Sequence, residues 1–293
     1  MGTYDKWRSV KPEPRFEAEY NRLAKAIDRY NESTGCMNSD HYDLNSNFVK
    51  ADGIECPICK NRGTIMTMAF NDNGKPYSGL VRCECMRRRS AIGRMRRCGL
   101  GDAISRCTFE SFETNEPWQQ TLKDKVLNYV ENGAKEGHWL YIGGCPGAGK
   151  SHLCTAVVGK LIDKYETTYA IWTKMTQELK AVIMDAEAYD EAVRRYQAAD
   201  VLYIDDLFKP TNRSINSNAS DADVRVAFDI LNSRYINSAK ITIITSEWML
   251  RELDQVDEAT SSRIYERCGS GEYVINIKRD DSRNYRYKEI EEI

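Results

Sequence analysis

The chain has 293 residues, enough for one large domain and a smaller one at the usual ~100 to 200 residues per domain. Its 42 basic and 44 acidic residues leave a net charge of −2, which excludes a surface basic enough for bulk nucleic-acid binding but allows a local basic stripe. No apolar run approaches the ~18 residues of a membrane span and MGTYDKWRSVKPEP holds no signal-peptide core, so a cytoplasmic protein without membrane contact is expected, its ten cysteines reduced and some on metal.

The first helical spacing is in RFEAEYNRLAKAIDRY, where Phe16, Tyr20, Leu23, Ile27 and Tyr30 share one face. Such a stripe packs on its own domain or is offered to a partner. Residues 36–53 read as a connection. Cys56, Cys59, Cys83 and Cys85 then give C-x2-C, 23 residues and C-x-C. Four thiolates are the preferred donor set of a closed structural Zn²⁺ site, and the residues between read as a hairpin turning at Asn73-Gly74. The C-x-C half is tighter than the usual ribbon spacing, and free buried cysteines are the alternative. Cys36, Cys98, Cys107, Cys145, Cys154 and Cys268 lack such spacing and read as core or incidental. Residues 82–97 hold seven arginines and one glutamate, a local +6 that suits DNA phosphates, an acidic partner or a solvated helix face.

Three regions are expected: 1–98, helical and four-cysteine; 99–136, a linker and entry to the second domain with a helical pattern through Val126, Leu127 and Val130; and 137–293. In the last, the runs WLYI, YAIW, VLYI, ITIIT and YVINI alternate with helical SHLCTAVVGKLI, a helical region over 175–198, VRVAFDILNSRY and WMLREL. That alternation predicts an α/β fold, a parallel sheet flanked by helices on both faces. TNRSINSNAS at 211–220 reads as a mobile loop.

GGCPGAGKS matches G-x-x-x-x-G-K-[ST] in full, between a strand run and a helical pattern. Glycines there let backbone N–H groups turn to phosphate oxygens, and the following helix adds its positive N-terminal end. Gly144, Gly147, Ala148, Gly149, Lys150, Ser151 and His152 are the candidate ATP-binding residues, although the side chains of His152 and Cys145 read as neighbours only. Lys150 would reach the β and γ phosphates and Ser151 would ligate Mg²⁺. VLYIDD places Asp205 at the end of a strand, where it would hold Mg²⁺ through water. Asp206 would orient the attacking water or cap a helix.

Two further features separate kinds of P-loop protein. ITIIT ends in Thr245 and Ser246, where a polar sensor of the γ phosphate sits in AAA+ ATPases; Ser246 is the candidate, with Thr245 and Glu247 open. EATSSRIYERC puts Arg263 and Arg267 at i and i+4 of a helix, and Arg263 is the candidate arginine finger for a neighbouring subunit, with Arg267 open. The 30 residues after Arg263 are too few for the helical lid of many AAA+ proteins, so a lidless core is expected.

Taken together, CPICKNRG with RCEC, TFESF, GGCPGAGKSHL, YIDDLF, AFDILNSRY, IITSE, SSRIYERC and the terminal NYR make the chain similar to the DnaC- and DnaI-type loaders of the replicative helicase, above all the phage and prophage versions from Gram-positive bacteria. The resemblance spans residues 54–290. It implies an AAA+ fold, ATP and Mg²⁺, assembly on a DnaB-type hexameric helicase, self-association there and single-stranded DNA contacts. It carries Lys150, Ser151, Asp205, Asp206, Ser246 and Arg263 over in the roles given above. Many AAA+ proteins have Glu where Asp206 stands, and the shorter acid suits slow hydrolysis used as a switch. Lys174, Lys180, Arg194 and Arg195 lie in the segment that loaders and initiators turn toward single-stranded DNA. An IstB-like helper of transposition has a similar ATPase core, and a small-molecule kinase and a non-hydrolysing adaptor are the more distant alternatives.

Overall fold

The computed structural model describes residues 6–33, 35, 41–42, 48–49, 54–97, 100–162, 164–209 and 219–285. These fall into two units, 1–92 and 93–293.

In the first unit, helix α1 (Glu17–Glu32) carries the apolar stripe read from the sequence. Strands β1 (His41–Tyr42) and β2 (Phe48–Val49) pair briefly, and β3 (Thr64–Phe70) and β4 (Pro76–Arg82) form the expected antiparallel hairpin. Its turn is wider than an Asn-Gly pair: Asn71 accepts through Oδ1 from the N–H groups of Asn73 (3.1 Å) and Lys75 (2.9 Å), so Asn71 organises a five-residue loop. Period-two alternation gives the hairpin two faces. Met66, Met68 and Phe70 face α1, packing with Tyr20, Leu23, Ile27 and Trp7, while Ile65 faces the four cysteines. The stripe of α1 is therefore covered by its own unit. Asn31 locks this packing, donating to the Met66 carbonyl at 2.8 Å and accepting from its N–H at 3.0 Å.

Helix α2 (Cys85–Arg97) contains the boundary between the units. In the second unit, the segment expected as linker and entry to that domain holds α3 (Gly101–Arg106) and α4 (Pro117–Asn128), the latter carrying the start of the expected helical pattern and running into a π-helical turn, Tyr129–Gly133. Pro117 starts α4 where no N–H is needed, and Glu116 and Gln119 close a capping box. Then come β5 (Leu140–Gly144), α5 (Lys150–Leu161), β6 (Thr167–Ile171), α6 (Trp172–Ala181), α7 (Ala186–Ala198), β7 (Val201–Asp205), α8 (Asp221–Ile236), β8 (Ile241–Ser246), α9 (Asp254–Arg267) and β9 (Val274–Ile277). The five strands are all parallel, in the order β6-β7-β8-β5-β9. Every side chain of β5 and β8 is buried, as a sheet covered on both faces requires. The helical region over 175–198 is two helices, because Asp185 caps α7 by accepting from Ala188 N–H at 3.1 Å. WMLREL forms only a single 3-10 turn, Leu250–Glu252. Residues 210–218, which hold most of the expected mobile loop, and Cys36 and Cys98 lie outside the described residues. No helix among the described residues is long and apolar enough to cross a membrane.

The N-terminal ends of β7 and β8 are tied by one side chain. Arg234 of α8 is wholly buried; Nε donates to Thr242 Oγ1 at 3.0 Å, and its other N–H groups reach the carbonyls of Tyr196 (3.0 Å), Gln197 (3.2 Å), Ala199 (2.7 Å), Asp200 (3.4 Å) and Ile241 (2.5 Å). Several of these carbonyls end α7, where the helix dipole is negative. Burial and the nearby Arg267 charge push the Arg234 pKa down, yet a guanidinium so fully bonded stays charged. Arg234→Met should cost about 3–5 kcal/mol, since it strands several buried carbonyls at once. A thermal midpoint lower by roughly 6–20 °C in calorimetry is the expected result, and an unchanged midpoint would refute this account of the sheet end.

Candidate functional site

The loop between β5 and α5 is held open by glycine. A Cβ on Gly144 would come within 2.0 Å of the Ile277 carbonyl oxygen, and Gly149, at φ +83, has the Phe112 ring where a side chain would go. Lys150 is buried and folds into the loop, donating to the carbonyls of Gly144 and Cys145 at 2.8 Å each. His152 turns away, its Nε2 2.9 Å from the Thr108 carbonyl oxygen and its ring edge-on to Phe112 at 5.3 Å. TFESF thus braces the first turn of α5. On the other side, Tyr285 donates its N–H to the Gly147 carbonyl at 3.2 Å and its hydroxyl to Gln119 Oε1 at 2.9 Å.

Asp205 ends β7 opposite this loop and is a hub of hydroxyl donors. Its Oδ1 accepts from Ser151 (2.8 Å), Tyr203 (2.9 Å) and Thr245 (2.5 Å), and its Oδ2 from Tyr169 (3.2 Å). Burial, then the Asp205 charge, holds the Tyr203 phenol well above its ordinary pKa, so it remains a donor. Thr245 Oγ1 also accepts from the Asp206 N–H at 2.9 Å and so ties the Asp205 carboxylate to the backbone of Asp206. Ser246 is wholly buried and donates instead to the Leu207 carbonyl at 2.8 Å. Of the two adjacent hydroxyls, Thr245 is the one on the acid pair.

Asp206, at φ +60, is in the left-handed region and leaves the strand sharply. Its Oδ2 is 2.6 Å from Lys209 Nζ, which also lies 3.5 Å from Glu247. Burial opposes the charge on Lys209, but the bond to Asp206 and the two acids raise its pKa. The strand-loop-helix cradle, a lysine in it and an acid pair across a third strand are the parts of an ATP-binding P-loop domain.

Residues 86–290 match the family described as IstB-like ATP binding protein. The chain belongs to that family. It is similar to two proteins of Bacillus subtilis (strain 168): YqaM, 32% identical over 273 residues that cover 78% of this chain and 83% of YqaM, and the phage-like element PBSX protein XkdC, 30% identical over 237 residues that cover 78% and 84%. Among solved structures, the DnaC helicase loader aligns over 60% of this chain and 96% of its own at 23% identity, with a TM-score of 0.44.

This IstB-like domain has the architecture of an AAA+ ATPase, and its arginines divide into distinct groups. Arg267 donates to the carbonyls of Gly137 (2.9 Å), Ser238 (3.0 Å) and Lys240 (3.0 Å), which precede β5 and β8 at the sheet end remote from the P-loop. Arg263, one turn earlier, donates from Nε to Asn232 at 3.1 Å and lies 4.9 Å over the Phe228 ring and 5.7 Å over Tyr235. Lys180 pairs with Asp223 at 2.6 Å, and Arg195 with Glu178 at 2.5 Å, whereas Lys174 and Arg194 are exposed. In the arginine-rich helix α2, Arg89 is buried and donates to the Ile54 carbonyl (2.6 Å) and Asn61 Oδ1 (2.7 Å); Arg87 and Arg88 are exposed, and the side chains of Arg94, Arg96 and Arg97 lie outside those described.

In the first unit the four expected cysteines converge, their sulfurs all within 4.8 Å of one another. The Cys56–Cys83 and Cys59–Cys85 separations are 3.8 and 3.5 Å. A tetrahedral centre with Zn–S bonds of ~2.3 Å needs sulfurs ~3.8 Å apart, so the donor set and its spacing fit such an ion. Gly63 N–H points at Cys59 Sγ at 3.4 Å, and Asn61, at φ +66, accepts from Cys56 N–H at 3.0 Å. Cys107 is half-buried and Cys145, Cys154 and Cys268 are buried elsewhere, so they take no part.

The hydroxyls of Tyr169 and Tyr203, the Lys209–Glu247 pair and the structural use of Arg89 and Arg267 were not picked out from the sequence, whereas Thr245 was there as an open alternative to Ser246. Alternation along VLYID does put Tyr203 on the face of Asp205, whereas Tyr169 reaches it only through the β6–β7 register, Tyr169 beside Tyr203. If the thiols hold a metal, the protein should bind about one equivalent of Co²⁺ with thiolate-to-metal charge-transfer absorption, and Cys59→Ser with Cys83→Ser should abolish the band. A band that survives in the double variant would exclude this cluster.

Proposed function

We propose that this IstB-like ATPase loads a DnaB-type hexameric replicative helicase onto single-stranded DNA, using ATP as a slow switch. What favours the loader over a helper of transposition is the first unit: a four-thiol module with its own core, in the place where the resembled loaders carry a zinc-bearing helicase dock. In this reading Zn²⁺ supports that fold and takes no part in chemistry, since all four positions are thiols. The likeness to a phage-like element protein is in keeping with a phage or prophage replication role.

At the nucleotide site, Lys150 would exchange its two carbonyl partners for phosphate oxygens, and Ser151 and Asp205 would hold Mg²⁺. Asp206 would orient the attacking water, with Thr245, bonded to the Asp205 carboxylate and the Asp206 N–H, in the sensor position that the sequence left open between it and Ser246. Arg263 would complete the site of a neighbour rather than its own. It stands one helical turn, ~6 Å, from an arginine anchored where the P-loop strand begins, and the five residues of β5 span ~16 Å to the loop. Single strands would run along the exposed Lys174 and Arg194, because Lys180 and Arg195 are already paired.

Co-elution with the replicative helicase of the same host or phage, with and without ATP, tests the assignment. A nucleotide-sensitive complex is expected; ATPase and DNA binding without any helicase complex would move the assignment to a transposition helper. The slow switch makes its own prediction. Lys209 holds Asp206 away from a water, so Lys209→Met should raise basal hydrolysis by up to about fivefold, the equivalent of the ~1 kcal/mol ceiling for a half-exposed ion pair. A fall in rate would instead put Lys209 among the groups that stabilise the transferring phosphate.

A further inference from the structure

We propose that Tyr169 and Tyr203 are positioning residues for the magnesium site, their hydroxyls fixing the Asp205 carboxylate in the orientation that receives the metal. The proposal rests on the reading of Asp205 as the magnesium acid.

The two rings are neighbours across β6 and β7, 5.1 Å apart, on buried strands where phenylalanine would fill the same space. A phenol placed there loses its hydration, which is unfavourable unless the hydroxyl finds a partner. Both hydroxyls reach the same carboxylate, one on each oxygen: Tyr203 on Oδ1 at 2.9 Å and Tyr169 on Oδ2 at 3.2 Å. With one donor per oxygen, the carboxylate cannot turn about its Cβ–Cγ bond without breaking both.

The remaining donors come from the P-loop helix and the neighbouring strand. Ser151 sits in the first turn of α5 and Thr245 at the end of β8, and both give to Oδ1. Oδ1 thus carries three donors and Oδ2 one, which leaves Oδ2 with lone-pair capacity for a metal-bound water. With Ser151 engaged by Mg²⁺, the tyrosines would still hold the acid. Groups that orient a metal's own partners are typically worth ~10- to 100-fold in metal affinity.

Tyr→Phe removes an oxygen and leaves the ring, so packing is retained. The test uses the full chain and a fluorescent ADP analogue. Its affinity is measured in EDTA and across a Mg²⁺ titration for the wild type, Tyr169→Phe, Tyr203→Phe, the double variant and Asp205→Asn. The expected result is unchanged affinity in EDTA, with the Mg²⁺ midpoint raised about tenfold in Tyr203→Phe and up to about a hundredfold in the double variant, and with wild-type affinity regained at saturating Mg²⁺. A double variant that titrates like the wild type, or that loses affinity equally in EDTA, overturns the proposal. Asp205→Asn separates the two failures: if it shifts the Mg²⁺ midpoint while the tyrosine variants do not, only the positioning role falls, and if it too titrates like the wild type, the metal role of Asp205 falls with it.

Discussion

The register between β7 and β8 is the constraint on which the second unit depends. These parallel strands are tied at both ends by side chains rather than by ladder hydrogen bonds alone. At the N-terminal end the Arg234 guanidinium gathers the carbonyls of Ala199, Asp200 and Ile241. At the C-terminal end the Thr245 hydroxyl joins Asp205 to the Asp206 N–H. A slip of one residue would reverse which side chains face α5, carry Thr245 off the acids and leave the arginine without its acceptors. The same register that closes the core therefore assembles the site.

Sheet order explains why the third strand matters. Because β8 lies between β7 and the P-loop strand β5, its last residues fall between the acid pair and the loop. Ile142 of β5 pairs with Thr245, and Tyr203 of β7 with Ile243, two residues earlier on the same face. A single hydroxyl at that point bonds the Asp205 carboxylate and the Asp206 backbone N–H together. Burial of Thr245 strengthens these bonds, since in the low-dielectric interior its hydroxyl has few competing partners.

How much of this could be read from the residues depends on the range of the interaction. The P-loop and the acid pair are local signals, a strand followed at once by its functional residues, and Asp205 fell where expected relative to VLYI. The convergence of the four cysteines was legible because short paired spacings on either side of a hairpin bring thiols together. The choice between Thr245 and Ser246 was not, because adjacent residues on a strand face opposite sides and only the register with Asp205 says which side is which. The break at Asp185 had a signal, an N-cap aspartate before a helical run, that was overridden by an uninterrupted helical pattern. The burial of Arg89 had none: within a run of arginines nothing in the composition tells which one leaves solvent to bond Asn61.

The first unit illustrates the opposite economy of size. Its hairpin has an apolar cluster of Trp7, Ile27 and Met68 on one face and a cluster of thiols with Ile65 on the other. A two-stranded hairpin needs a covered face to persist, and α1 covers one. The second face has few apolar side chains and a buried arginine, so burial alone gives it little stability. With the proposed zinc in place, binding free energy becomes folding free energy for that face, and the knuckle of Lys60, Asn61 and Gly63, all at positive φ, is held by bonds that a small core could not supply. Arg89 then has two tasks that converge: it satisfies the Ile54 carbonyl and holds Asn61, the residue that fixes the Cys56 N–H. An arginine that reads in sequence as part of a basic surface is, in the fold, the support of the thiol cluster.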